Sequence, residues 1–168
     1  DIGSSDGSFS KYLSTYITNS KFYCIEPLSF FHKKFSLKGN NKLFNLRFAC
    51  GKNNGKIIIY TPYKKIFFLK VYLKFFFLSN LNFIKKSIFK YFNIKNYFSY
   101  ETNLVKVVKA DNLKIAPDVV KLDVENNEYE VLLGLKSTIK KYRPTIFIEN
   151  PNKKIDNILL KLGYKKFQ

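Results

Sequence analysis

Histidine, cysteine, arginine and acidic side chains are all scarce in this 168-residue chain, and methionine is absent. The single histidine, His32, sits beside Phe30, Phe31 and Phe35. No Ser-His-Asp set assembles around it, so it reads as a packed or surface residue. Cys24 and Cys50 lack C-x-x-C spacing, which excludes a cysteine zinc site and a disulfide framework. Both stand in apolar, strand-like stretches and read as buried thiols, which fits a reducing, cytoplasmic setting. Twelve acidic residues face thirty basic ones, a formal net charge of +18. Of the basic residues only Arg47 and Arg143 are arginine. Proteins that grip phosphates or read bases favour the planar fork of Arg over Lys. Lys, Asn, Ile, Phe and Tyr are abundant together and all have AT-rich codons. Genome composition therefore accounts for the charge, and a nucleic-acid partner is set aside.

Long uncharged runs are also missing. The most apolar stretch, residues 66–78, is interrupted by Lys70 and Lys74 and followed by Asn80 and Asn82. Nothing approaches the roughly 18–20 uncharged residues that a membrane span needs. Residues 62–100 hold no Asp or Glu and interleave Lys with aromatics. Lys70 and Lys74 fall on one face at helical spacing. An amphipathic helix fits this segment, either lying on a membrane surface or covering the domain. We read residues 62–100 as an insertion within one domain covering residues 1–168.

What is present begins at the first residue. Asp1-Ile2-Gly3-Ser4-Ser5-Asp6-Gly7 reads D-x-G-x-x-x-G and runs straight into a helical pattern. Glycines let a backbone turn sharply and approach a ligand with no Cβ in the way. A helix N-terminus adds unpaired N–H groups. The loop is not G-x-G-x-x-G, which disfavours a dinucleotide-dependent oxidoreductase. A leading Asp suits a cofactor with an amino group and no pyrophosphate. Tyr23-Cys24-Ile25-Glu26-Pro27 is a short apolar strand that ends in a carboxylate. An acid about 20 residues past a Gly loop, at a strand end, is placed to accept hydrogen bonds from ribose hydroxyls.

The remaining elements follow the order of a parallel α/β sheet. A first helix is expected over residues 8–19, with Ser8 as its cap and Phe9, Leu13, Tyr16 and Ile17 on one face. A strand is expected over 22–26, and a helix over 29–38 stopped by Gly39-Asn40-Asn41. Strands are expected over 43–50 and, after the turn cluster 51–55, over 56–61. Further strands are expected over 104–108, 119–123 and 144–149, with one continuous helix over 127–141. A last helix carries Ile155, Ile158, Leu159 and Leu162 and stops at Gly163, after which a strand begins. An α/β domain needs an apolar strand before its first Gly loop, and only Asp1-Ile2 stands there. The sequence thus reads as a fragment truncated at its first, central strand.

At the loop and Glu26 the chain resembles class I S-adenosylmethionine-dependent methyltransferases. The stretch Lys121-Leu122-Asp123-Val124-Glu125-Asn126-Asn127-Glu128, continuing through Val131-Leu132-Leu133-Gly134, narrows the resemblance. It is similar to the FkbM family, whose corresponding stretch runs roughly K-I-D-V-E-G-x-E-x-x-V-L-x-G. Pro144-Thr145-Ile146-Phe147-Ile148-Glu149 also fits. The resemblance implies a Rossmann-like class I methyltransferase fold with helices on both faces of the sheet. It implies S-adenosylmethionine as cofactor and a hydroxyl of a sugar, glycan or small metabolite as acceptor. Asp1, Gly3 and Gly7 would then hold the methionine end and Glu26 the ribose. Leu28 would pack on adenine, and Asp111 would approach the adenine or a neighbouring polar group.

Asp123 and Glu125 are the acceptor-side catalytic candidates. Two carboxylates two residues apart at a strand end can divide orientation and proton acceptance. They can also bind a divalent ion through oxygen, and Asp123 alone can serve as a helix cap. Glu128 and Glu149 match family acids. Asn126 replaces the family Gly; Asn tolerates left-handed backbone better than most residues, which would preserve the turn. Base N-methylation is set aside because no Asp/Asn-Pro-Pro-aromatic stretch follows this strand. Cytosine C5 methylation is set aside because neither cysteine sits in a nucleophile's context. The rival reading is a non-catalytic, methyltransferase-like module that binds a membrane surface or polyanion through the basic aromatic insertion.

Overall fold

The computed structural model describes residues 1–29, 31, 42–66, 69–72, 77–78 and 99–167. His32, most of the helix expected over 29–38 with its stop at 39–41, and most of the 62–100 insertion lie outside the described residues. The chain forms two compact units, one of Asp1–Gly55 with Lys106–Gln168 and one of Lys56–Val105.

In the first unit, α1 (Ser8–Tyr16) follows the Gly loop, and β1 (Phe22–Ile25) pairs in parallel with β2 (Leu43–Leu46). Later in the chain, β8 (Val119–Leu122) pairs in parallel with β9 (Thr145–Ile148). Ile2 joins the two pairs, bridging Ile25 on one side and Leu122 on the other, both in parallel sense. The order is therefore β2, β1, Ile2, β8, β9, with every member running the same way. Apolar side chains cover this sheet. Val120 and Leu122 of β8 are buried while Val119 is exposed, the period-two alternation of a strand. Ile2, Ile25, Val120 and Leu122 share one core with Val131, Leu132, Leu135, Ile139 and Ile155.

The helix expected over 127–141 is two helices, α2 (Glu128–Gly134) and α3 (Lys136–Tyr142). The break falls at Leu135, whose N–H is shared between the carbonyls of Val131 and Leu132. Just beyond it the N–H groups of Ser137 and Thr138 turn to the Asp111 carboxylate. A partner distant in sequence thus interrupts a pattern that is helical throughout. Gly134 meets Gly51 backbone to backbone: a Cβ at Gly134 would lie 2.0 Å from the Gly51 carbonyl oxygen. The last helix, α4 (Lys153–Lys161), is capped by the Asn152 side chain, which accepts from the N–H groups of Lys154 and Ile155. Gly163 follows it at φ 78°, as the stop signal predicts.

Four expectations are corrected. α1 ends at Tyr16, and its buried residues are Ser10 and Ser14; Phe9, Tyr16 and Ile17 are exposed. Small serines let the helix approach the sheet closely, and the bulky face turns outward. Ser8 is not its cap: Gly7 holds that position at φ 71°, and Asp6 Oδ1 accepts from the Ser8 N–H. The run over 43–50 is two strands, because β2 pairs with β1 whereas β3 (Ala49–Gly51) pairs with the end of β7 (Ser99–Lys109). The residues after Gly163 form no strand up to 167. Arg143 ties them down instead, donating to the carbonyls of Leu162 and Gly163 and lying 4.5 Å from the Tyr164 ring centroid, while the Tyr164 hydroxyl donates to Pro144.

In the second unit, β4 (Gly55–Ile66) lies between β7 and β5 (Leu69–Tyr72), and β6 (Phe77–Leu78) also pairs with β4. β4 and β5 are antiparallel, from Ile66 opposite Leu69 to Tyr63 opposite Tyr72. The described part of the 66–78 stretch is therefore strand, not amphipathic helix. Its β-branched and aromatic residues suit a pleated surface, and pairing with β4 overrides the helical spacing of its lysines. Among the described residues no helix is long and apolar enough to cross a membrane.

Candidate active site

Parallel strands bring their carboxyl ends to one edge of a sheet, and the loops that leave that edge meet there. Ile2 fixes this arrangement with short backbone bonds. Its N–H donates to Lys121 and its carbonyl accepts from Asp123, at 2.9 and 3.0 Å, while the Gly3 N–H donates to Ile25 at 2.9 Å. The Gly loop, Glu26, the Asp123–Glu125 turn and Glu149 thus leave adjoining strand ends.

The loop is built from left-handed backbone. Gly3, Ser5 and Gly7 have φ of 83°, 51° and 71°. Gly3 lies so close to the β8 end that a Cβ there would sit 1.7 Å from the Asp123 carbonyl oxygen. The Asp1 carboxylate accepts from Ser10 Oγ at 2.7 Å through Oδ2. Its other oxygen, Oδ1, is buried without a hydrogen bond, 3.7 Å from Lys121 Nζ. Ser4 Oγ is likewise buried without a partner. Buried polar atoms left unbonded are rare, and each calls for an explanation.

Glu26 is 5% exposed. Its Oε2 accepts from the Ser5 N–H at 3.1 Å and its Oε1 from the Leu28 N–H at 3.0 Å. Burial pushes its carboxyl up to about 7; the two backbone donors pull it down, and nearby Asp123 pushes it further up. Leu28 is itself buried, so the contribution seen here is its N–H to Glu26 rather than an open face for a ring.

Asp123 is paired with Lys121. Lys121 Nζ donates to its Oδ2 at 2.9 Å. Burial raises the Asp123 carboxyl, but hydrogen bonding with Glu149 and with Lys121 outweighs that and holds it below its ordinary value. Asp123 is not the helix cap. Asn127 occupies that position, and Glu128, buried, accepts the Val124 N–H at 3.1 Å. Glu125 is exposed on the turn, and its carboxyl is raised by burial and by the charges of Asp123 and Glu128. Glu125 and Asn126 take φ of 51° and 72°, so the turn keeps its left-handed backbone with Asn at the glycine position. Among the described residues no group of three or more His, Cys, Asp or Glu is arranged to hold a metal ion.

Asp111, expected beside the cofactor, is engaged with the start of α3 in this structure. Its Oδ1 accepts from the Thr138 N–H and hydroxyl, both at 2.9 Å, and its Oδ2 from the Ser137 N–H. Burial raises its carboxyl, yet these bonds outweigh it and hold it below its ordinary value. Asp111 thus serves as a side-chain cap, from a distant element, on the first turn of α3, whose cap position is Leu135. Asp111→Ala is expected to lower the unfolding free energy by about 1–2 kcal/mol, the usual worth of such a cap, in urea denaturation. Binding of S-adenosylhomocysteine should be unaffected; weakened binding by a folded variant would return Asp111 to the site.

Two contributors escaped the sequence reading. Ser4 sits inside the Gly loop with no side-chain signal of its own. Lys121 opens the K-L-D-V-E stretch, and only the pairing of Ile2 with β8 brings it to Asp1. The cysteines offer no nucleophile: burial raises the Cys24 thiol and pushes Cys50 up to about 12.

The sequence profile of the methyltransferase FkbM domain family matches residues 1–166. Among solved structures, the crystal structure of a methyltransferase FkbM from Methylobacillus flagellatus KT aligns with 96% of this chain at a TM-score of 0.58 and 16% identity. That alignment covers 34% of the Methylobacillus chain, so the present chain spans about a third of its length. At this identity the likeness establishes the fold, a Rossmann-like α/β sheet. Comparison with curated protein sequences returns no match.

Proposed function

Because this chain belongs to the FkbM methyltransferase family, we propose that it transfers a methyl group from S-adenosylmethionine to a hydroxyl on a sugar, glycan or other small metabolite. The observation that carries the cofactor half is a pair of buried loop atoms that make no hydrogen bond, Ser4 Oγ and Asp1 Oδ1, the latter ion-paired with Lys121 at 3.7 Å. One is an acceptor and the other a donor, which suits the ammonium and carboxylate of an amino acid end. Glu26, across the loop, is the acceptor for ribose hydroxyls. The residues therefore fit the cofactor. When bound, it supplies an activated methyl group and a neutral leaving group.

The chain's own residues do the rest. The loop and Glu26 orient the donor so that donor and acceptor lie in line. Asp123 and Glu125, at the next strand end, orient the acceptor hydroxyl and remove its proton. With Glu26, Asp123, Glu125 and Glu149 at this edge, an uncharged polyol suits the site better than an anion. Two buried free thiols support a reducing, cytoplasmic location.

The test is calorimetric titration of S-adenosylhomocysteine into the 168-residue chain. Micromolar binding with one site per chain is expected. A folded protein that binds none would overturn the reading.

A further inference from the structure

We propose that Asp123 holds the Lys121 ammonium off Asp1, and so keeps one oxygen of the Asp1 carboxylate open to the ammonium of the cofactor. The inference rests on the methyl-transfer reading and gives Lys121 and Asp123 a part in cofactor binding within it.

The sheet sets the three side chains side by side. Lys121 and Asp123 are two residues apart at the end of β8, so strand alternation puts them on one face. Ile2 locks that stretch to the loop, donating to the Lys121 carbonyl and accepting from the Asp123 N–H. Ile2 is buried in the core, so the preceding residue, Asp1, turns to the opposite face. That is the face α1 covers. The Phe9 ring centroid lies 5.4 Å from Lys121 Nζ, and Ser10 Oγ donates to Asp1 Oδ2 at 2.7 Å.

One ammonium thus faces two carboxylates, and it serves them unequally. Lys121 Nζ lies 2.9 Å from Asp123 Oδ2, a hydrogen bond. It lies 3.7 Å from Asp1 Oδ1, an ion pair that stops short of a hydrogen bond. The Asp1 side chain is 6% exposed and the Asp123 side chain 31%. A buried carboxylate oxygen loses more by lacking a donor than a partly exposed one, which water can serve. Desolvation by itself would therefore send Lys121 to Asp1. It sides with Asp123 instead, and Asp1 Oδ1 makes no hydrogen bond. The oxygen left without a donor is the one that water reaches least.

Such an arrangement costs stability and gains an acceptor. An ammonium on the amino-acid end of the cofactor can donate to Asp1 Oδ1 without displacing a bonded partner. Its repulsion from Lys121 is moderated, because Asp123 neutralises Lys121 from the other side. Remove the Asp123 charge, and Lys121 moves the short distance onto Asp1 and competes with the ligand for the same oxygen. Lys121 and Asp123 act here through Asp1, as positioning residues.

The experiment is a double-mutant cycle read by calorimetry with two probes, S-adenosylhomocysteine and methylthioadenosine, which lacks the amino-acid end. Asp123→Asn should weaken S-adenosylhomocysteine roughly tenfold, since a charge-assisted bond from Lys121 to Asp1 must then be broken. Lys121→Met should bind it at least as tightly as the parent, and adding Asp123→Asn to Lys121→Met should cost nothing further. Lys121→Arg, whose longer fork reaches both carboxylates, should weaken it as Asp123→Asn does. Methylthioadenosine should bind parent and variants alike. A purely structural Lys121 gives the reverse order, Arg tolerated and Met not, and this comparison stands even where Asp123→Asn fails to fold. That reverse order, or an Asp123→Asn loss that persists beside Lys121→Met or extends to methylthioadenosine, overturns the proposal and leaves methyl transfer standing. A folded parent protein that binds no S-adenosylhomocysteine overturns methyl transfer, and this proposal with it.

Discussion

Gly3→Ala is expected to lower the unfolding free energy by about 2–5 kcal/mol, a left-handed penalty of about 1–2 plus an overpacking penalty of about 1–3. The position combines two demands that an alanine cannot meet. Its φ of 83° is strained for any side chain, and the new Cβ would fall 1.7 Å from the Asp123 carbonyl oxygen. Backbone obstructs it, so no rotamer change relieves the clash. The Ile2 bridge joining β1 to β8 would have to open. Domains have only about 5–15 kcal/mol to lose, so this is a large share of the total stability. Urea denaturation followed by circular dichroism checks this. A midpoint equal to that of the parent protein would show that the loop and the β8 end are not in contact.

Glu26→Ala is expected to weaken S-adenosylhomocysteine binding roughly 100-fold, about 3 kcal/mol, as hydrogen bonds from ribose to a charged acceptor are lost. Calorimetry on the folded variant reads this directly, and an affinity equal to the parent's would remove Glu26 from the cofactor site. The same residue should mark the pH dependence of the cofactor-free protein. Its carboxyl is raised from 4.5 to about 7 on folding. Below the lower value it is neutral in both states and costs nothing. As pH rises, the unfolded chain ionises first, so stability falls through this window, and the full cost of a buried charge is reached above about 7. The shift corresponds to a loss on the order of 3 kcal/mol. Glu26→Gln should remove that slope, which urea denaturation at about pH 5 and about pH 8 would compare. A slope that persists in the variant would assign the effect to other groups. A buried acid that costs stability, as Glu26 does, is a pattern common at binding sites.

Much of this site is legible in the chain because its signals are local. Asp1 to Gly7 and the strand ending at Glu26 carry their chemistry in spacing, and the stretch from Lys121 to Gly134 carries the family. Covalent neighbours decide where a backbone must turn, where a strand must end and which face of it is apolar. The left-handed Asn126 was readable for the same reason, since it depends on one residue's own backbone. Tertiary structure alone decided the partners. Lys121 reaches Asp1 and Asp123 because Ile2 lies beside β8. The Glu149 N–H reaches the Leu122 carbonyl because β8 and β9 pair in one register and not another. Asp111 accepts from the first turn of α3, since Ser137 and Thr138 come to it from a different element. The run over 43–50 splits because each half finds a different partner strand. Periodicity encodes what a segment can form by itself; hydrogen-bond partners across strands are chosen by sheet order and register, which no single segment contains.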